Sequence, residues 1–131
     1  MEKILLLQGA NMSYLGRRQP ELYGTTTAAE LDQILLAHAK ANAYSLEIFY
    51  THIEGEAISR LYRAVDDGVA GLVMNPAGFN YAGYALRDCV ATLPFPYVFH
   101  VSCAPPAISS VSRNRGSPWK GKPGVVMGSR G

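Results

Sequence analysis

The sequence predicts a doubly wound α/β domain, for three reasons: β-rich runs alternate with amphipathic helical stretches, the first apolar run is continuous, and a long Gly/Pro-marked loop follows that run. Residues 4–7, Ile-Leu-Leu-Leu, read as a strand buried on both faces and ended by Gly9. Residues 9–25 hold Gly9, Gly16, Pro20, Gly24 and the adjacent Arg17 and Arg18. Loops beyond about 12–15 residues in a small domain are usually functional, and this one reads as an active-site lid. Thr27-Ala28-Ala29-Glu30 is a capping box, with Leu31, Ile34, Leu35 and His38 following at helical spacing, so a first helix is expected over 27–42.

Residues 46–50 alternate as a second strand. A second helix over 54–67 places Ile58, Leu61, Tyr62 and Val65 on one face. Residues 70–74 form a third strand stopped by Asn75-Pro76, residues 81–91 a third helix, and residues 96–101 a fourth strand bounded by prolines. Residues 104–123 are rich in Pro, Ser and Gly and read as irregular, and Val125-Val126-Met127 reads as a fifth strand. Right-handed crossovers then give a parallel five-stranded sheet in the flavodoxin-like order 2-1-3-4-5. Such sheets bind ligands at the carboxyl ends of their strands, which directs attention to Asn11, Asn75 and His100-Val101-Ser102.

At 131 residues the chain is expected to be one domain, residues 1–131. Nearly half the residues are apolar and 17% are charged, which excludes a disordered chain. The net charge of +2 is uneven. Residues 1–88 carry all ten acids and seven bases (−3), and residues 89–131 carry five bases, Arg113, Arg115, Lys120, Lys122 and Arg130, without an acid (+5). The tail has Trp119 but no dense basic run, so a basic pocket for an anionic small molecule is preferred to a nucleic-acid arm. Two cysteines, Cys89 and Cys103, make no disulfide framework. Without a signal-peptide pattern or a run approaching the roughly 18–20 apolar residues of a membrane span, the expectation is a cytoplasmic protein with no membrane partner.

The long loop matches neither of the common glycine-rich phosphate cradles. It offers Asn11, Arg17, Arg18 and Tyr23. A tyrosine, with a reference pKa near 10, becomes a usable base when an arginine within about 4–6 Å stabilises its phenolate. Spacing alone leaves open the plainer alternative, a surface arginine beside an aromatic anchor.

The segment 11–24, Asn-Met-Ser-Tyr-Leu-Gly-Arg-Arg-Gln-Pro-Glu-Leu-Tyr-Gly, resembles the signature loop of type II 3-dehydroquinate dehydratases. Ile53-Glu54-Gly55-Glu56, Asn75-Pro76-Ala77-Gly78-Phe79 with Ala85-Leu86-Arg87-Asp88, and His100-Val101-Ser102 keep that family's order and spacing, so the resemblance covers residues 3–103. It implies a flavodoxin-like fold, no cofactor or metal, and a homo-oligomer, usually a dodecamer built from trimers. It also implies an anti elimination of water through an enolate. Tyr23 would be the base, held as phenolate by Arg18, and Asn11 would orient a water that stabilises the enolate. His100, positioned by Asn75, would be the acid, and Ser102 with nearby backbone N–H groups, including that of Val101, would bind the substrate carboxylate.

Departures cluster around the substrate's ring hydroxyls. Where the family has a histidine this chain has Tyr81, and where it has a partner arginine this chain has Ala107. Val98 replaces the acid two residues before His100, Cys103 an asparagine three residues after it, and Ser13 the second asparagine of the loop, while Asp88 is kept. Losing buried partners of a hydroxyl weakens transition-state binding by several kcal/mol. These losses favour a repurposed relative, carrying out elimination or hydrolysis on a flatter carbonyl- or carboxylate-bearing substrate. Two alternatives stand: an authentic 3-dehydroquinate dehydratase, with Arg113 or Arg115 replacing the lost arginine, and a non-catalytic binding or assembly subunit. Retention of Asn11, Arg18, Tyr23, Asn75 and His100 together counts against the last. Elsewhere, His38 reads as structural, His52 as a cap on the second helix, and three scattered histidines do not make a metal site. A Cys103 nucleophile three residues from His100 is disfavoured by the extended spacing.

Overall fold

The computed structural model describes residues 1–103 and 125–129, with side chains described over 1–21 and 24–99. Strands β1 (Lys3–Ala10), β2 (Ser45–Tyr50), β3 (Gly71–Ala77), β4 (Tyr97–Cys103) and β5 (Val125–Ser129) pair in the order β2-β1-β3-β4-β5. All pairings are parallel. Helices α1 (Pro20–Tyr23), α2 (Ala28–Ala41), α3 (Glu54–Asp66) and α4 (Tyr84–Ala91) lie in the crossovers. The doubly wound class and the run 2-1-3-4 are those the sequence predicts. The irregular segment expected over 104–123 lies outside the described residues.

Pleating sorts the sheet into two faces. Leu5 with Leu72, and Leu7 with Met74 and Phe99, share rows on one face. There they pack with Ala57, Leu61 and Ala64 of α3 and Leu86, Cys89 and Val90 of α4 in a single buried cluster. The other face carries Leu6, Ile48, Val73 and Val98 in one row and Gln8, Tyr50 and Asn75 in the next. Here α2 is tied to β2 by the Tyr50 hydroxyl, which donates to Asp32 Oδ1 at 2.7 Å. The capping box forms as expected: Thr27 Oγ1 accepts the Glu30 N–H at 3.1 Å and donates to Glu30 Oε1 at 3.2 Å.

Several boundaries differ from the expected ones for physical reasons. β1 continues through Gln8-Gly9-Ala10, because Gly9 is a point of close approach and not a terminator. A Cβ at Gly9 would meet the carbonyl oxygen of Pro76 and lie 2.9 Å from that of Asn75. β3 likewise runs through Asn75-Pro76 to Ala77. Leu72 donates its N–H to Pro96 O at 3.0 Å, and strand periodicity passes that role to Met74 and then to Pro76, which has no N–H. The β3–β4 ladder ends accordingly at Met74↔Phe99. Residues 81–91 split into a 3-10 turn over Gly78–Tyr81 and α4. Tyr62 and Ile34, both expected on buried helix faces, are exposed.

Gly9→Ala is expected to destabilise the fold by about 3 kcal/mol, because two backbones would have to separate; urea denaturation measures it. Burial and the hydrogen bond to Asp32 keep Tyr50 protonated well above the ordinary tyrosine range, against a smaller opposing effect from Gln8. Its folded-state affinity for the proton is raised, so this stabilisation is complete below about pH 10 and is lost as the pH rises further. Tyr50→Phe should cost about 1–2 kcal/mol at pH 7 and less at pH 11, as paired urea titrations at the two pH values would measure.

Candidate functional site

The carboxyl end of the sheet gathers a polar row on the face whose preceding row is Leu6, Ile48, Val73 and Val98. Gln8 pairs with Tyr50 on one side and Asn75 on the other. His100 is one position beyond Phe99, as Asn75 is one beyond Met74, so the backbone register sets His100 beside Asn75 where the ladder has ended. Gln8 is 3% exposed, and its Oε1 has no hydrogen-bond partner among the described residues. Asn75 is 5% exposed. Its Oδ1 accepts the Ala77 N–H at 3.0 Å, and its Nδ2 lies 3.5 Å from the sulfur of Met12.

Asn11 follows β1 directly in the left-handed conformation (φ 78°, ψ −6°), one that asparagine tolerates better than most residues. This turns the chain into a 3-10 turn, Met12–Tyr14. The Asn11 amide rests on Gly78: a Cβ there would lie 2.8 Å from Asn11 Nδ2 and 2.9 Å from Ala10 Cβ. Ala77 holds φ 48° and ψ −119°, a strained conformation for a residue with a Cβ, worth roughly 1–3 kcal/mol. Strain of this kind, immediately beneath Asn11, marks the junction as built for geometry.

The loop beyond is ordered by local contacts. Arg17 and Arg18 both donate their backbone N–H to Tyr14 O at 3.0 Å, and the Arg17 guanidinium lies 5.1 Å from the centre of the Tyr14 ring. Gly16 (φ 84°) packs against the carbonyls of Thr25 and Thr26, which folds the loop back on itself. Arg18 is exposed, and Tyr23 ends α1.

The structure therefore brings together Asn11, Asn75 and the backbone position of His100. The side chains of Tyr23, His100, Val101, Ser102 and Cys103 lie outside the described ones, as do the whole of Ala107, Arg113 and Arg115. Val101, Ser102 and Cys103, expected just past or at the end of their strand, lie within β4 and pair with Met127, Gly128 and Ser129. Asp88 sits on the exposed side of α4 near α3, where its charge acts on Tyr62 and Cys89. Burial raises the Cys89 thiol above its ordinary range, with Tyr62 opposing and Asp88 adding to the rise. Tyr81 is 58% exposed at the end of its 3-10 turn, and Val98 is 43% exposed.

His52 does not play the part expected of it. It does not cap α3, whose N-cap is Ile53 without a side-chain bond; its ring binds the first loop instead. Asn11 N–H donates to His52 Nδ1 at 2.9 Å, and Ser13 Oγ lies 3.0 Å from Nε2. Gln8, Met12 and His52 were not singled out as site residues by the sequence; the available signals were a glutamine closing an apolar run and the place of His52 just past the second strand, near the ligand edge of the sheet. His38 bonds to the Tyr44 hydroxyl at 2.8 Å near the end of α2, in keeping with a structural role. No group of three potential metal ligands occurs among the described residues. No helix among them is long and apolar enough to cross a membrane.

Comparison with known proteins agrees with this geometry. The family model described as dehydroquinase class II matches residues 2–105. A 3-dehydroquinate dehydratase of Stenotrophomonas maltophilia is 40% identical over 103 residues, covering 78% of this chain and 70% of the relative. One from Nitrosomonas eutropha is 39% identical over 101 residues, covering 76% and 70%. The crystal structure of a type II dehydroquinase from Propionibacterium acnes is similar at 31% identity and a TM-score of 0.72, covering 76% of this chain and 68% of that one. A Butyrivibrio crossotus type II dehydroquinase structure shares the fold, with a TM-score of 0.86 at 23% identity over 97% of this chain and 88% of that one. With the signature loop, the Asn75 segment and the β4 terminus falling within the matched residues, the chain belongs to the class II dehydroquinase family, whose members are hydro-lyases.

Proposed function

We propose that this chain is a 3-dehydroquinate dehydratase, converting 3-dehydroquinate to 3-dehydroshikimate without a cofactor or metal. The observation that carries this reading is the 40% identity over 103 residues to a relative of that name, beside the family match over residues 2–105 that spans the loop, Asn75 and His100. The same likeness favours it over a repurposed enzyme with a flatter substrate, the reading that the departures at Tyr81, Val98 and Ala107 suggest when taken alone.

In this mechanism the Tyr23 phenolate, stabilised by the Arg18 guanidinium, removes a proton from the carbon beside the ketone. The electron pair moves into the carbonyl and gives an enolate. Asn11, set on Gly78 at the end of β1, orients a water toward the enolate oxygen. His100, beside Asn75 in register, gives its proton to the departing hydroxyl on the opposite face. The enolate collapses, water leaves and the conjugated enone forms. Ser102 and the backbone N–H groups around Val101 receive the substrate carboxylate. Closing the loop excludes water and strengthens each of these charge interactions. Tyr81 and Cys103 stand at positions where the family grips the substrate, and Val98 stands where it has the acid that tunes the histidine corresponding to His100. The enzyme works in the cytoplasm as a dodecamer built from four trimers, with neither nucleic acid nor membrane as a partner.

Incubation with 3-dehydroquinate should produce a growing enone absorbance. Tyr23→Phe and His100→Ala should each lower kcat by at least roughly 100-fold, the lower end of general acid–base contributions, while leaving assembly intact. No turnover by the parent protein would overturn the proposed substrate, and unchanged turnover in both variants would overturn the residue assignment. Light scattering after size exclusion should give a mass of twelve chains, and a monomer would refute the assembly.

A further inference from the structure

We propose that His52 is a positioning residue for the reaction, a latch at the root of the lid loop that holds Asn11 at the mouth of the sheet. Both ring nitrogens are engaged by that loop: Nδ1 by the Asn11 N–H at 2.9 Å and Nε2 by Ser13 Oγ at 3.0 Å. Because Nδ1 accepts a backbone N–H, the ring carries its proton on Nε2 and donates it to the serine hydroxyl. Tyr14 packs edge-on against the same ring, 6.3 Å between centroids, and Arg17 lies over Tyr14. A single imidazole thus grips three of the first four residues after β1.

The residue bearing the latch is itself fixed. Thr51 donates its N–H to Gln8 O at 3.2 Å, and its hydroxyl accepts the Ile53 N–H at 3.0 Å and donates to Glu56 Oε2 at 2.6 Å. The turn from β2 into α3 is therefore tied to β1 on one side and to the helix on the other. Asn11 has left strand geometry for a left-handed conformation, and its N–H turns to His52 and not to a strand carbonyl. Ser13, which stands where the family has asparagine, is short enough to meet the ring at Nε2.

For its effect on turnover this inference rests on the dehydratase reading; the latch itself does not. The test uses His52→Asn, His52→Gln and His52→Ala in the full chain. An asparagine carboxamide places an acceptor where Nδ1 sits, one bond from Cγ, and a glutamine places its terminal atoms near Nε2. Hydrogen exchange resolved to the Asn11 amide should be roughly tenfold faster in the Gln and Ala variants, the loss of about one hydrogen bond, and near the parent rate in the Asn variant. Leu6, in the middle of β1, should exchange alike in all four and serves as the control for folding. With 3-dehydroquinate, kcat should fall roughly tenfold in the Gln and Ala variants with KM little changed, and largely recover in the Asn variant, because Asn11 acts on the enolate and not on the bound ground state. Equal Asn11 exchange in all four proteins, equal loss in the Asn and Gln variants, or exchange changes without any effect on kcat would each overturn the proposal. A parent protein inert toward dehydroquinate but showing the expected exchange pattern would sink the dehydratase reading and leave the latch standing.

Discussion

Where β1 passes Asn75-Pro76-Ala77, two backbones run closer than any side chain on Gly9 would allow, and the polar end of the sheet is arranged around that approach. It accompanies the register of Gln8 with Asn75 and Ala10 with Ala77, and Gly78, the residue after β3, lies against the Asn11 amide. The strain at Ala77 is held by the Asn75 side chain, which accepts the Ala77 N–H. Packing on the opposite face, with Leu5, Leu7, Leu72, Met74 and Phe99 buried against α3 and α4, supplies the rigidity that keeps this strained junction in place.

The two faces of the sheet divide the work. One carries the apolar cluster of Leu5, Leu7, Leu72, Met74 and Phe99 and binds α3 and α4. The other turns from aliphatic to amide within one row, from Leu6 and Val73 to Gln8 and Asn75, at the end where ligands bind in doubly wound folds. Burying carboxamides is costly unless they are bonded, which is why Asn75 is met by Ala77 and Met12. Gln8 Oε1, by contrast, has no hydrogen-bond partner among the described residues.

The elements that depend on local chemistry were legible in the sequence. Thr27-Ala28-Ala29-Glu30 announced the start of α2, and the Ile-Leu-Leu-Leu run announced a strand covered on both sides. Asn11 was legible as the residue just past β1, whereas Asn75 and His100, expected at or past the ends of their strands, lie within β3 and β4; family likeness suggested roles for all three. What stayed hidden depends on contacts between distant segments. Gly9 and Pro76 read as terminators because their value lies in a strand that sequence does not place beside them. His52 read as a helix cap because its neighbours along the chain are helical, whereas its partners are 39 and 41 residues away. Tyr62 fits the periodicity of a buried face, yet lies at the outer flank of α3.

Pro76 has a consequence beyond strand geometry. A proline inside a parallel strand is ordinarily a defect, since it withholds one rung from the ladder. Here the missing rung is the one that would have joined β3 to β4 at His100. Any residue with an N–H at that position would allow the two strands to zip one step further, drawing the polar row shut like a seam. The imino ring keeps the seam open by chemistry and not by flexibility, so the mouth of the site is a permanent feature of the covalent chain.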